Sequence, residues 1–245
     1  MESKLQIIYM PSREDIDVIH PYYHNEAAAV EAVGIMTGVK PVPNAAKLLY
    51  RGFRMSNEAD YPKDKRFLQG FEIYTKYLSL TQYYPYILDL SIDTFFVDEL
   101  ESSVIVEIEK RYWQKAFIKK DTCALEHIEK GKSVWPDTSF EEMKKLFDES
   151  GIEGKYCIRR FIEKDVIDLE ERYWVLNGDI YHRHNNVPDV VKEAANRLNK
   201  LGSRYYTIDA TPSFVVEVNP GESSDRHAVN SAELFASWIK NAFFP

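Results

Sequence analysis

Two hairpin signals in the carboxyl-terminal half constrain the fold of this sequence more than any other feature. Residues 173–181 carry Asn177-Gly178 between two apolar and aromatic runs, a pattern that favours a tight two-residue turn between antiparallel strands. Residues 204–209 and 213–218 form a second pair of strand-like runs. The sequence therefore predicts antiparallel sheet in this part of the chain.

The rest of the chain mixes helical and strand patterns. An apolar run at residues 5–10 and an alanine-rich segment at residues 25–33 predict a strand, a loop and a helix. Further helices are expected at residues 67–80, 99–111, 139–151, 189–201 and 231–243, and further strands at residues 45–53, 87–90, 113–119 and 156–163. Residues 126–135 read as a charged connection. We expect the α+β fold class.

A domain boundary is expected near residues 95–105, where an N-terminal lobe gives way to the rest of the chain. The predicted units are an N-terminal lobe of residues 1–100 and a second region of residues 101–245. A chain of 245 residues is long enough for one large domain or for small lobes that share a cleft.

Charge and hydropathy exclude several classes of function. The chain has 39 acidic and 31 basic side chains, a net charge of −8, so binding to a nucleic-acid backbone lacks its usual driving force. No stretch approaches the ~20 apolar residues of a membrane span, and we expect no signal peptide. Cys123 and Cys157 lie far apart and indicate neither a disulfide framework nor a structural metal. A cytoplasmic protein is expected.

The most informative residues lie on the second hairpin. Alternate residues of a strand share a face, so Glu217 and Asn219 point the same way while Val216 and Val218 point into the core. Asp209, on the preceding strand, is expected to come up opposite them. Together they form a set of oxygen ligands suited to Mg²⁺. The alternative is an exposed glutamate followed by a simple turn.

Three upstream residues precede this set in the order of one nucleotide-binding architecture. An aromatic-rich strand ends in Lys119, a later strand ends in Glu163, and the next strand carries Arg172. In this combination, residues 110–225 resemble the ATP-grasp superfamily. The small size of the chain, the early Tyr50-Arg-Gly52 and the two lysines Lys115 and Lys119 look most like the small bacterial and phage clade named for one arginine and two lysines.

The resemblance implies an ATP-grasp fold, with a small N-terminal α/β lobe and two α+β lobes that sandwich ATP and Mg²⁺. Lys119 is then the phosphate lysine, assisted by Lys115 and Lys132, and the metal ligands are Asp209, Glu217 and Asn219. For Lys132 a solvated loop lysine is an equal alternative. The sequence departs from the family at Asp121, close to a position where many relatives have proline.

The remaining roles follow from the same resemblance. Glu163 accepts hydrogen bonds from the ribose, and the backbone of Phe161 and Ile162 meets the adenine edge. Arg172 neutralises the transferred phosphoryl group, unless it is engaged in an ion pair with Glu170 or Glu171.

Two further arginines are candidates for substrate binding. Arg51 lies in the N-terminal lobe and is suited to clamp a carboxylate bidentately. Arg183 follows the first hairpin between His182 and His184. A plain surface position is the alternative for both arginines.

The implied reaction is that of an ATP-dependent carboxylate-amine ligase that acts through an acyl phosphate and releases ADP and phosphate. The expected partners are a small-molecule or peptide carboxylate and an amine, and a homo-oligomer is left open. Two alternatives remain: an ATP-grasp phosphotransferase, and a non-catalytic nucleotide-binding interaction protein.

Overall fold

The computed structural model describes residues 5–124, 129–226 and 230–244. The chain begins with a three-stranded parallel sheet of order β2-β1-β3. Its strands and the helix between the first two are β1 (Leu5–Tyr9), α1 (His24–Ala32), β2 (Met36–Gly38) and β3 (Lys47–Arg51). All five residues of β1 are buried, because this strand is central in the sheet. The predicted strand, loop and helix are confirmed.

A helical segment follows and leads into the second sheet. It contains α2 (Phe71–Leu78), α3 (Leu80–Ile87), β4 (Thr94–Val97) and α4 (Ser102–Lys110). The strand predicted at residues 87–90 is wrong, because Ile87 is the last residue of α3. Its side chain is fully buried on the same helix face as Tyr83 and Tyr84, which is helical rather than strand periodicity.

The central sheet is antiparallel and has the order β4-β7-β5-β6. Its other elements are β5 (Ala116–Lys120), β6 (Val134–Trp135), α5 (Phe140–Ser150) and β7 (Tyr156–Arg160). As its sequence predicts, α5 is capped by Ser139, whose hydroxyl accepts from the Glu142 amide at 3.2 Å, and ends at Gly151. Of the predicted connection at residues 126–135, residues 126–128 lie outside the described part of the chain.

The C-terminal sheet is also antiparallel, with the order β11-β10-β8-β9. Its elements are α6 (Lys164–Ile167), β8 (Glu171–Leu176), β9 (Asp179–Tyr181), α7 (Asp189–Leu198), β10 (Tyr205–Ala210), β11 (Val215–Pro220) and α8 (Ala232–Phe243). Asn177 and Gly178 both have positive φ, as a two-residue hairpin turn of this type requires. Both predicted hairpins are confirmed.

Each face of the C-terminal sheet buries a separate core. Trp174 and Tyr205 pack with α8 and the N-terminal sheet, whereas Tyr173 and Ile208 pack with α3 and α7. The central sheet packs against α4 and α5. Short 3-10 helices lie at Pro21–Tyr23, Glu58–Asp60 and Asn199–Leu201.

The lobes are connected through α2 and α3, which precede the central sheet in sequence and pack on the C-terminal sheet. The division into residues 1–100 and 101–245 stays a prediction. None of the helices in the described ranges is long and apolar enough to cross a membrane.

Candidate active site

The structure brings Asp209, Glu217 and Asn219 together on one face of the second hairpin. Asp209 pairs directly with Glu217 across β10 and β11, and Asn219 lies two residues further along β11. The Asn219 amide nitrogen donates to Asp209 Oδ2 at 3.3 Å and to Glu217 Oε2 at 3.2 Å. One amide thus bridges two carboxylates.

Lys119 reaches this face from the central sheet. Its ammonium lies 2.5 Å from Glu217 Oε1, and only 6 % of its side chain is exposed, against 33 % for Glu217. Burial alone would raise the pKa of Glu217, but the attraction and hydrogen bond of Lys119 outweigh burial and lower this pKa to about 2. Glu217 is therefore ionised at neutral pH.

Arg172 holds the second carboxylate. It is the cross-strand partner of Asp209. Its Nε and Nη2 donate to the two carboxylate oxygens of Asp209 at 2.7 and 2.6 Å. Its Nη1 donates to Asp225 Oδ1 at 2.6 Å. Burial would lower the pKa of Arg172, but Asp209 outweighs burial and keeps it above its ordinary value. The bidentate pair fixes the guanidinium in one orientation.

Two residues of this site were not selected from the sequence. Glu170 lies two residues before Arg172, and burial raises its pKa to about 7, with the charges of Asp209 and Glu217 adding to the effect. Arg159 is buried on β7, and its Nε donates to Thr94 Oγ1 at 3.3 Å. The sequence signal that could have identified Glu170 is its position two residues before Arg172, because alternate residues of an extended chain share a face.

An apolar cavity of about 280 Å³ lies beside the charged cluster. Phe161 and Ile162, whose backbone is expected to meet the adenine edge, are among the residues that line it. Val216 lines it as well and is only half-buried, so the prediction that Val216 points into the core is wrong. Its other apolar walls are Ile92, Phe117 and Ile167.

The remaining nucleotide candidates lie around these features. Lys115 donates to Asp137 at 2.8 Å and lies 5.6 Å from the centre of the Phe161 ring. Lys132 donates to Glu142 of α5 at 2.7 Å. Glu163 is exposed at the start of α6. The structure does not bring Lys132 into the Lys119 cluster.

The two substrate candidates occupy different environments. Arg51 is 1 % exposed; it makes two 2.8 Å hydrogen bonds to the Glu26 carboxylate and also donates to the carbonyls of Gly221 and Ser224. It lies in the core and is not part of the cluster above. Arg183 is one-third exposed and donates to Glu171 at 2.6 Å.

The hairpin set contains two carboxylates and one amide rather than three carboxylates. Among the described residues, no group of three or more His, Cys, Asp or Glu side chains is arranged to hold a metal ion. The residues at this site that could hold a metal ion are Asp209 and Glu217, with the Asn219 amide oxygen as a third donor.

Comparison with solved structures identifies the fold. No family model and no curated protein matches the chain. A RiPP-associated ATP-grasp ligase of Chryseobacterium gregarium, in complex with ADP and a leader and core peptide, matches with a TM-score of 0.60 at 12 % identity, over 98 % of this chain and 96 % of that one. The macrocyclase MdnC of Microcystis aeruginosa MRC, bound with the precursor peptide MdnA, matches with a TM-score of 0.59 at 13 % identity, over 97 % and 99 %.

A third match is the ATP-grasp ligase PsnB, complexed with minimal precursor, Mg and ADP. Its TM-score is 0.58 at 11 % identity, over 99 % of this chain and 98 % of that one. The chain therefore has the ATP-grasp fold along nearly its whole length, as the sequence resemblance implies.

Proposed function

We propose that this protein is an ATP-dependent ligase that activates a carboxylate of a peptide as an acyl phosphate and joins it to an amine. The observation that carries the proposal is the meeting of two cation–carboxylate pairs, Lys119 with Glu217 and Arg172 with Asp209, at the Asn219 amide. Membership of the one-arginine, two-lysine clade remains part of the proposal.

The cavity and the cluster suit the two ends of ATP. The apolar walls, including Phe161 and Ile162, accept a flat adenine ring. Lys119 then lies where the phosphates pass toward the cluster. Because its ammonium is nearly buried, it interacts with a phosphate more strongly than a solvated lysine does. Glu163, exposed at the N-cap of α6 and three residues beyond the end of β7, is the residue proposed to accept hydrogen bonds from the ribose.

The hairpin set fits Mg²⁺ in its chemistry. Asp209 Oδ2 and Glu217 Oε2 both lie within 3.3 Å of the Asn219 amide nitrogen, so hard oxygens converge on one point. A half-turn of the Asn219 side-chain amide presents its oxygen there instead of its nitrogen. When bound, the metal ion supplies positive charge that neutralises the phosphates.

The proposed reaction has two steps. A carboxylate oxygen of the substrate attacks the terminal phosphorus, and the bond to ADP breaks. An amine then attacks the carbonyl carbon, the carbon–oxygen bond to phosphate breaks, and the amine proton is lost to solvent. Arg172 neutralises charge on the phosphoryl group during its transfer. The protein itself needs no covalent nucleophile.

The proposal of a peptide substrate is supported by structurally similar proteins. The ligase of C. gregarium and the macrocyclase MdnC are described with bound peptides. A peptide can supply a carboxylate, an amine or both, and these are the two groups that the proposed reaction joins. The net charge of −8 gives no support to a nucleic-acid substrate.

Nucleotide binding is tested by thermal and chemical denaturation with and without Mg-ATP. Ligand at a hundredfold excess over Kd stabilises the folded state by about 2.7 kcal/mol. We expect Glu217→Gln to abolish the magnesium-dependent part of this stabilisation and Glu107→Gln, a surface control on α4, to retain it. A wild-type protein that millimolar Mg-ATP does not stabilise contradicts the proposal.

The reaction class is tested by product analysis. We expect ADP and phosphate, and a hydroxamate when hydroxylamine replaces the amine, because an acyl phosphate reacts with it. AMP and pyrophosphate exclude the mechanism. A phosphorylated product stable to hydroxylamine favours the phosphotransferase, and nucleotide binding without turnover on any peptide acid favours the non-catalytic alternative.

A further inference from the structure

The helix α3 begins without a side-chain cap of its own. Ser79 occupies its N-cap position and makes no capping hydrogen bond. The cap comes from Asp121, the residue after β5: its Oδ1 accepts from the Thr81 amide at 2.8 Å, and its Oδ2 accepts from the hydroxyls of Ser79 at 2.6 Å and Thr81 at 3.0 Å. The Leu80 amide donates to the Asp121 carbonyl at 3.1 Å.

The same helix is attached to the metal-ligand strand on its other side. The Tyr83 hydroxyl accepts from the Val218 amide at 3.3 Å, and Val218 lies between Glu217 and Asn219 on β11. Just beyond α3, the Leu90 carbonyl accepts from the Val215 amide at 2.7 Å, where β11 begins. The contacts hold β11 at a fixed place relative to α3.

A third contact fastens α3 to the central sheet. The Tyr84 hydroxyl accepts from the Thr94 amide on β4 at 2.9 Å. The helix therefore spans the gap between two sheets that carry opposite halves of the site, Lys119 on one and Glu217 on the other. Asp121 lies two residues from Lys119, at the central-sheet end of this connection.

We propose that Asp121 is a positioning residue that, through α3, sets the distance between Lys119 and the metal-ligand strand. The inference rests on the proposed nucleotide site. It also gives a physical reason for aspartate at this position, because its carboxylate accepts from the Thr81 amide and from the hydroxyls of Ser79 and Thr81.

The dependence on Asp121 follows from the weakness of α3 itself. The helix has eight residues and contains Pro85, and helices this short are marginal without capping and packing. Loss of the cap lowers the fraction of molecules that hold the binding geometry, and apparent affinity falls by that fraction.

The test compares Mg-ADP binding by calorimetry, well below the unfolding temperature, in three variants. We expect Asp121→Ala to weaken Mg-ADP binding about tenfold, which matches the loss of a strong cap. Asp121→Asn retains an oxygen for the Thr81 amide and should stay within about threefold of wild type. Ser231 caps α8 through its hydroxyl, which accepts from the Leu234 amide at 3.2 Å. Ser231→Ala removes this cap and should leave the Mg-ADP affinity unchanged.

A double-variant cycle separates positioning from general destabilisation. If Asp121 acts through Lys119, its substitution should change affinity less than about twofold in a Lys119→Met background. An equal loss in both backgrounds, full affinity in Asp121→Ala, or an equal loss in Ser231→Ala overturns the inference.

A second substitution covers the case in which Asp121→Ala does not fold. Tyr83→Phe removes the hydroxyl that connects α3 to the Val218 amide of β11, and we expect a loss of Mg-ADP affinity of about threefold to tenfold. Unchanged affinity in this variant overturns the inference. If wild-type protein binds no Mg-ADP, the proposed function has failed instead.

Discussion

Two clusters of arginine and carboxylate lie on either side of the segment that follows β11, and they differ in what they leave free. In the closed cluster, Arg51 and Glu26 are 1 % and 2 % exposed and pair bidentately, and Arg226 adds a contact to Glu26 at 3.0 Å. In the open cluster, Arg172 and Asp209 are 11 % and 3 % exposed, but the adjoining Glu217 is 33 % exposed beside the apolar cavity. Only the open cluster can exchange a protein partner for a ligand.

The two clusters are connected through neighbouring residues. Asp225 bonds Arg172 of the open cluster, and Arg226 bonds Glu26 of the closed one. Arg51 is held further by its Nη1, which donates to the carbonyls of Gly221 and Ser224. The closed cluster thus anchors the segment that forms one side of the open cluster.

The largest effect expected from this comparison is on stability. Arg51→Met leaves the Glu26 carboxylate buried without its main partner, and we expect the free energy of unfolding to fall by about 3–5 kcal/mol. Lys119→Met leaves Glu217 with partial access to water, so we expect a smaller loss of about 2 kcal/mol. Urea denaturation of both variants measures the difference.

A paired substitution sharpens this test. Glu26→Met combined with Arg51→Met removes both buried charges, and we expect more than half of the lost stability to return. If Arg51→Met costs no more than Lys119→Met, the distinction between the closed and open clusters is wrong.

The sequence predicted the architecture because local signals agree with the fold. The turn at Asn177-Gly178 and the cap at Ser139 depend on neighbours in the chain, and strand alternation placed Glu217 and Asn219 on one face. The role of Arg51 depends on Glu26, which lies 25 residues earlier on another element, and no local pattern distinguishes a buried ion pair from a substrate clamp. The cap supplied by Asp121 to α3 is equally non-local.

The two clusters should affect folding stability with opposite signs as the pH changes. Beside the closed cluster, burial raises the pKa of Glu222 from an ordinary value of 4.5 to about 7. The folded state then holds its proton more tightly than the unfolded state, so stability falls as pH rises from about 4.5 through 7. Glu222→Gln should abolish about 3 kcal/mol of this loss between pH 5 and pH 8.

Glu217 of the open cluster should show the opposite slope. Its pKa is lowered to about 2, so its contribution is present above pH 4.5 and is lost as pH falls toward 2. Urea denaturation of wild type, Glu222→Gln and Glu217→Gln between about pH 2 and pH 8 measures how stability changes with pH in each variant. Parallel profiles for wild type and Glu222→Gln contradict the assignment of a neutral, buried Glu222.

Catalysis should depend on Arg172 in the open cluster. We expect Arg172→Ala to lower kcat about 100-fold and to change KM for ATP less than about threefold, because charge that develops during transfer affects rate more than ground-state binding. Arg197→Ala is the control, since Arg197 forms surface pairs with Asp89 and Glu193. A rise in KM with unchanged kcat assigns Arg172 to binding alone.

The smallest expected effect compares Lys119 with its neighbour. Lys120 points to the opposite face of β5, where its ammonium donates to the Gly154 carbonyl at 2.8 Å and lies 3.4 Å from the centre of the Tyr156 ring. We expect Lys119→Met to weaken nucleotide binding about tenfold and Lys120→Met to leave it unchanged while lowering stability. Calorimetry with Mg-ADP measures both. Equal, small changes in affinity at the two positions exclude Lys119 as the phosphate lysine, and Lys115 and Lys132 are then the residues to substitute.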